Sequence, residues 1–157
     1  MAISTTLQRH LEGLMVSFDL STHGRTLHSL ATAKASAIPE ANFAKAILIR
    51  KRDGYLLAVV PASRNVELDA LGRWLGQPVC LATEEEIASI FDDCERGAIP
   101  PVPEAFGLPA VIDDHLEGLS HIYFEGGDHC TLIHLRGSEF RRLTARNPHA
   151  SIGKPIH

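Results

Sequence analysis

Three short stretches of this 157-residue sequence carry residue types that can do chemistry. Lys45 stands at the head of Ala46-Ile47-Leu48-Ile49, an apolar run of strand length. A lysine there either snorkels its ammonium out to water or presents a cation at a strand end to a ligand phosphate or carboxylate. In Gly97-Ala98-Ile99-Pro100-Pro101, glycine permits positive φ and close backbone approach, and the two prolines hold one loop shape. That loop is either plain connection or a rigid cradle whose amides bind a carbonyl or a small amino acid. Gly126-Gly127-Asp128-His129 has the composition of a hairpin turn, to which His129 adds a group that donates, accepts or titrates near neutral pH.

Other chemistries lack their signatures. There are nine histidines, with His121, His129 and His134 close in sequence. His121 and His129 are placed to face each other across a turn, which leaves a metal hydrolase as one reading. The HExxH pattern and the paired Cys/His spacing of a structural zinc site are missing, and the expectation is no metal and no cofactor. The sequence also lacks a GxSxG nucleophile elbow, GxGxxG and GxxxxGK[ST]. Cys80, Cys94 and Cys130 are scattered and odd in number, which fits free thiols in a reducing, cytoplasmic setting.

These stretches need elements to hold them. Ser4–Gly13 reads as a helix, with Leu7, Leu11 and Leu14 on one face and Gly13 as its stop. Val16–Leu20 reads as a strand and the alanine-rich 29–37 stretch as a helix. Phe43–Arg50 and Tyr55–Val60 flank Lys51-Arg52-Asp53-Gly54, a strong hairpin signal. Val66–Leu75 reads as a helix. Thr83 with Glu86 forms a capping box that opens another, running to about Phe91. The glycines and prolines of Glu95–Pro109 predict an ordered loop without regular structure. Ala110–Ile112 is a short strand and Asp113–Gly118 a turn or single helical turn. Ser120–Phe124 and His129–Leu135 form a second hairpin, Ser138–Ala145 is a last helix, and the tail after Asn147-Pro148 reads as loosely ordered. Hairpins outnumber strand–helix–strand crossovers. The expected fold is therefore α+β, a mixed, mostly antiparallel sheet with flanking helices.

The bulk numbers bound the partners. One domain over 1–157, with its core at about 10–145, suits this length. No apolar run approaches the ~20 residues that span a bilayer, and the first residues lack the pattern of a secretion signal. The net charge of −4 argues against a protein coated in basic surface for wrapping nucleic acid. The charge is unevenly spread, however: residues 1–52 carry a net +4, residues 53–135 a net −12, and residues 136–157 a net +4. The two basic ends are either ordinary solvated side chains or, if they meet, one local basic face built from Arg50, Lys51, Arg141, Arg142 and Arg146. Such a face predicts weak, salt-sensitive binding with a shallow slope.

Taken in order, these features resemble the YbaK/ProX family, the free-standing relatives of the prolyl-tRNA synthetase editing domain. The resemblance rests on His23, the alanine-rich helix over 31–37, Phe43-Ala44-Lys45-Ala46-Ile47-Leu48-Ile49, and Leu57-Ala58-Val59-Val60-Pro61. It continues through Ala82-Thr83-Glu84-Glu85-Glu86-Ile87 and Gly97-Ala98-Ile99-Pro100-Pro101 to Gly126-Gly127. It implies hydrolysis of an amino acid wrongly esterified to tRNA, with Lys45, Gly127 and His129 at the reacting centre. It places His23, Gly97, Ile99, Pro100, Pro101, Gly126 and Asp128 around the substrate. The implied partners are the acceptor end of an aminoacylated tRNA, with tRNA-Pro favoured, and prolyl-tRNA synthetase. Two positions depart from the family: Ala46 stands where Thr or Ser is common, and Ala37 where Gly is common. The alternative is a non-catalytic module of the same fold that recognises tRNA ends or a nucleotide.

Overall fold

The computed structural model describes residues 3–22, 32–33 and 36–156. A five-stranded mixed sheet forms the centre, in the order β5-β2-β3-β6-β9. Its heart is the hairpin of β2 (Ala44–Lys51) and β3 (Gly54–Pro61), in which Lys51 pairs with Gly54 across a two-residue turn. β6 (Ala110–Asp113) adds to β3 in parallel, β9 (His149–Ala150) adds to β6 in parallel, and β5 (Cys80–Leu81) adds to β2 antiparallel. A second sheet holds β1 (Asp19–Thr22), β8 (Thr131–Arg136) and β7 (His121–Glu125), all antiparallel. The two sheets touch at a bridge between Phe43 and Tyr123. β4 (Arg64–Val66) and β10 (Gly153–Pro155) form a small antiparallel pair of their own. The α+β class is as expected.

β3 reads as an unbroken apolar run because both of its faces are covered. Leu57 and Val59 point into the larger core with Leu7 and Leu11 of α1 (Thr5–Gly13), β7, β8 and α4 (Gly137–Thr144). Leu56, Ala58 and Val60 point the other way, onto Leu71 of α2 (Leu68–Leu75) and Ile152. Period-two alternation puts neighbouring residues on opposite faces, so two cores need an apolar residue at every position. α3 (Glu84–Ile90) carries the expected capping box, Thr83 N–H to Glu86 at 2.8 Å and Glu86 N–H to Thr83 at 3.2 Å.

Several expectations shift. The first strand is Asp19–Thr22, not Val16–Leu20, because Val16 is buried in the core while all four residues of β1 are exposed. Gly13 stays helical, and the left-handed residue that ends α1 is Met15, at φ 55°. Val66 belongs to β4, so α2 begins at Leu68. The loop of 95–109 contains a 3-10 turn at Pro103–Phe106. β8 starts at Thr131, which leaves His129 in the turn before it. The tail is ordered, contrary to expectation. Asp113 is fully buried at the end of β6, and its Oδ2 accepts the N–H groups of Ile152 at 3.0 Å and Gly153 at 2.8 Å.

Ala37 sits in the left-handed region at φ 56°, where bonds from Ser36 N–H to the Thr32 carbonyl and from Ile38 N–H to the Ala33 carbonyl close a helical turn. A Cβ in that region costs ~1–2 kcal/mol. Replacing Ala37 with Gly should therefore raise stability by roughly 1 kcal/mol, less the extra freedom given to the unfolded chain. Thermal unfolding checks the sign.

Candidate active site

A cavity of about 1030 Å³ opens along the first half of β2. Ala44 to Leu48 form its floor, Ala82 and Ile87 one side, Glu95, Arg96, Gly97 and Ile99 another, and His129, Glu125, Asn65 and Ile156 close the rest. Lys45, Gly97, Ile99 and His129 are thus gathered from distant parts of the chain.

Lys45 enters the cavity from the start of β2, opposite Val60. Burial pulls its ammonium below the usual lysine range. Its Nζ donates to Asn65 Oδ1 at 3.3 Å. Among the described residues it has no carboxylate partner within ion-pair distance, so its charge stays available to a ligand.

His129 is 2 % exposed and takes left-handed backbone geometry at φ 57°. Its Nε2 bonds the Arg96 carbonyl. A carbonyl oxygen only accepts, so Nε2 carries the proton and, in the neutral ring, Nδ1 keeps a lone pair. Among the described residues, Nδ1 is buried without a hydrogen-bond partner. Buried polar groups are normally satisfied, and strained backbone collects at functional sites, so both observations single out this residue.

The turn that bears His129 is locked to the Gly97 loop. Glu95 N–H donates to the Gly127 carbonyl at 2.7 Å, and His129 reaches the same loop through Arg96. Gly126 and Gly127 pack on the start of α1 and do not line the cavity. A Cβ on Gly126 would lie 2.6 Å from Ile3 Cγ2, and one on Gly127 (φ 119°) 3.1 Å from Ser4 Cβ. Gly126→Ala should cost about 1–3 kcal/mol through this crowding, read as a lower unfolding midpoint. Asp128 also faces away: its carboxylate accepts from Cys130 N–H, Thr131 N–H and Thr131 Oγ1 at 3.0, 2.6 and 2.8 Å. Burial pushes this carboxyl up, yet those donors outweigh it and leave it below its usual value. Pro100 and Pro101 are buried behind the loop and brace it. His23 lies outside the described residues.

The basic residues fall into two separate groups. Arg50 and Lys51 sit at the far end of β2, where Arg50 lies 3.6 Å from Glu86 and Lys51 2.9 Å from Asp53. Arg141 and Arg142 ride on α4 against the three-stranded sheet, with Arg142 3.5 Å from Glu139, and Arg146 follows that helix. The histidine pair of the metal reading is not assembled. His121 meets His134, Nδ1 to Nε2 at 2.9 Å, beside a second cavity, while His129 lies in the first. Tertiary pairing of β7 with β8 decided this, since it sets His134 opposite Tyr123, one pleat from His121.

Cys94, close behind Gly127, is no nucleophile at neutral pH, because burial pushes its thiol up to about 12. Sequence reasoning missed Glu125, Asn65 and Ile156. Glu125 left a signal, an acid closing the apolar Ile122-Tyr123-Phe124 run; it is buried and accepts from Thr32 Oγ1 at 2.6 Å. Asn65 and Ile156 left none, since both depend on how the tail folds back.

Among the described residues, no helix is long and apolar enough to cross a membrane. No curated protein matches the chain significantly. Among solved structures, a hypothetical protein superposes with a TM-score of 0.83 at 18% identity, covering 95% of this chain and 99% of its own. A candidate trans-editing enzyme for prolyl tRNA synthetase gives 0.80 at 22%, covering 98% and 99%. A candidate signal transduction protein from Marinobacter aquaeolei VT8 gives 0.75 at 20%, covering 94% of this chain and 30% of that one. The fold is therefore that of the editing-domain-like structures. The model of the aminoacyl-tRNA editing domain matches residues 23–143, most of the chain and every side of the cavity except the wall made by Ile156, and the protein belongs to that family.

Proposed function

We propose that the protein hydrolyses the ester of a small amino acid wrongly attached to tRNA, with tRNA-Pro the favoured carrier. The observation that carries this reading is the meeting, on one cavity, of an ammonium that has no carboxylate partner among the described residues and the buried imidazole of His129. The family membership and the trans-editing description of a structural relative support it. The cavity, at the upper end of the ~300–1,000 Å³ range of small-molecule sites, has room for the terminal aminoacyl-adenosine and not the amino acid alone.

An aminoacyl ester is already activated, so the reaction needs placement more than a strong nucleophile. Lys45 holds the terminal phosphate or ribose. A water assisted by the neighbouring ribose hydroxyl adds to the ester carbonyl. The amides of the Gly97 segment face the developing oxyanion. The bond to the ribose oxygen then breaks, that oxygen takes the proton, and free amino acid and tRNA leave. The apolar side made by Ile87 and Ile99 limits the side chain by size, worth only ~1–3 kcal/mol per methylene. Exclusion of the correct amino acid is therefore steric. Encounter with the acceptor end, and with prolyl-tRNA synthetase, takes place in the cytoplasm on this reading.

Ala46 favours a second reading. It lines the cavity where the family commonly has a hydroxyl, and a site without that hydroxyl would still bind tRNA ends. Deacylation of a panel of Ala-, Ser-, Cys- and Pro-charged tRNAs decides between the two. Turnover of a small residue with sparing of the cognate ester is expected. Saturable binding of charged tRNA with no turnover of any member selects the binding module.

A further inference from the structure

The cavity wall outside the family match is built by the tail. The Ile152 carbonyl accepts from Glu67 N–H at 2.7 Å, β10 pairs with β4 so that Lys154 stands opposite Asn65, and Ile156 N–H donates to the Ser63 carbonyl at 3.1 Å. Alternation along this strand pair sends Asn65 and Ile156 to the same cavity. Asn65 Oδ1 is then the one polar atom that touches Lys45 Nζ among the described residues. We propose that Asn65, held in place by the 149–156 segment, is a positioning residue for Lys45. It aims the ammonium into the cavity while leaving the charge uncompensated for an anionic group of the ligand.

The chemistry of an amide is what makes this work. A carboxylate at position 65 would form an ion pair and cancel the charge, and an apolar residue would let the four-carbon stem swing free. An amide oxygen accepts one of the three ammonium protons and leaves two for a ligand. Among the described residues, the other ionisable groups around Lys45 are Glu84 on α3, Glu95 and Arg96 on the loop, Glu125 at the end of β7, His129 on the turn, and Lys154 across from Asn65. None of them is within ion-pair distance of Lys45.

The inference rests on the deacylase reading for its ligand, and its test separates the two. The probe is an amide-linked, non-hydrolysable alanyl-adenosine monophosphate, titrated into the full chain, its Asn65→Asp variant and its Asn65→Gln variant. Asn65→Asp should weaken binding by about tenfold or more, the worth of one charge-assisted hydrogen bond. Asn65→Gln, which keeps the amide oxygen, should recover most of it. In the same samples, side-chain NMR of Lys45 should show its titration moving upward in Asn65→Asp and little in Asn65→Gln. Equal probe affinity in all three chains, or an unmoved Lys45 titration in Asn65→Asp, overturns the proposal. If the wild type deacylates no tRNA, the functional reading fails, while the NMR titration still tests the pairing of Lys45 with Asn65.

Discussion

Replacing Lys45 with Ala should lower kcat/KM for deacylation by about 100-fold while leaving the unfolding midpoint unchanged or slightly raised. Removing a charge-assisted hydrogen bond from the transition state costs roughly 2–3 kcal/mol. The same side chain brings no ion pair to the folded state, and burial of its ammonium is a cost to folding. A residue kept for stability would show the opposite pattern, a lower midpoint and a proportionate loss of active protein. Lys45→Arg should rescue poorly, because a planar guanidinium fork does not reproduce the compact ammonium that Asn65 Oδ1 and a ligand anion share. Because burial holds the Lys45 pKa below 10.5, the folded chain releases this proton before the unfolded chain does. Between the two values the unfolded state binds more protons, so stability rises with pH across that window. Binding of the amide-linked probe should fall over the same window as the ammonium is lost. Binding that persists unchanged to the ordinary lysine range would refute this role.

Asp113→Ala should be the most destabilising single change, at about 3–4 kcal/mol and roughly 10 °C in Tm. The carboxylate is fully buried and receives four donors. Oδ1 takes His115 N–H at 2.8 Å and lies 2.7 Å from His115 Nδ1, and Oδ2 takes the Ile152 and Gly153 amides. Alanine leaves those backbone N–H groups without their acceptor, the Ile152 one in a buried place. The loss should also reach the cavity, since it frees the 149–156 segment that carries Ile156 and holds β4. Asp113→Asn keeps two acceptor lone pairs and should cost about half as much. Thermal unfolding with probe binding on the same samples checks both parts. A variant with normal stability, or one that unfolds lower but binds the probe at full strength once folded, would separate the clamp from the site.

Much of the local structure was legible in the chain. Asp53-Gly54 between two apolar runs announced the central hairpin, and Thr83 with Glu86 announced α3, because turn geometry and helix caps are satisfied within four residues. Lys45, the Gly97 loop and His129 were each visible as residue types, and their order carried the family. What could not be read was which of them share a cavity. Gly126, Gly127 and Asp128 were drawn into the site by their nearness to His129 in sequence. In space they turn away, the glycines toward Ile3 and Ser4 and Asp128 into its own turn.

The sequence by itself thus determined the central hairpin, the capped helix α3, the α+β class and the candidate groups, since periodicity, capping and turn chemistry act over a few residues. Only the tertiary structure decided that β6 joins β3 in parallel, that one buried Asp113 folds the tail back across the molecule, and that Asn65 meets Lys45 there. Those pairings join residues 20 to 53 positions apart, and their choice depends on which faces remain to be buried once the local pieces exist.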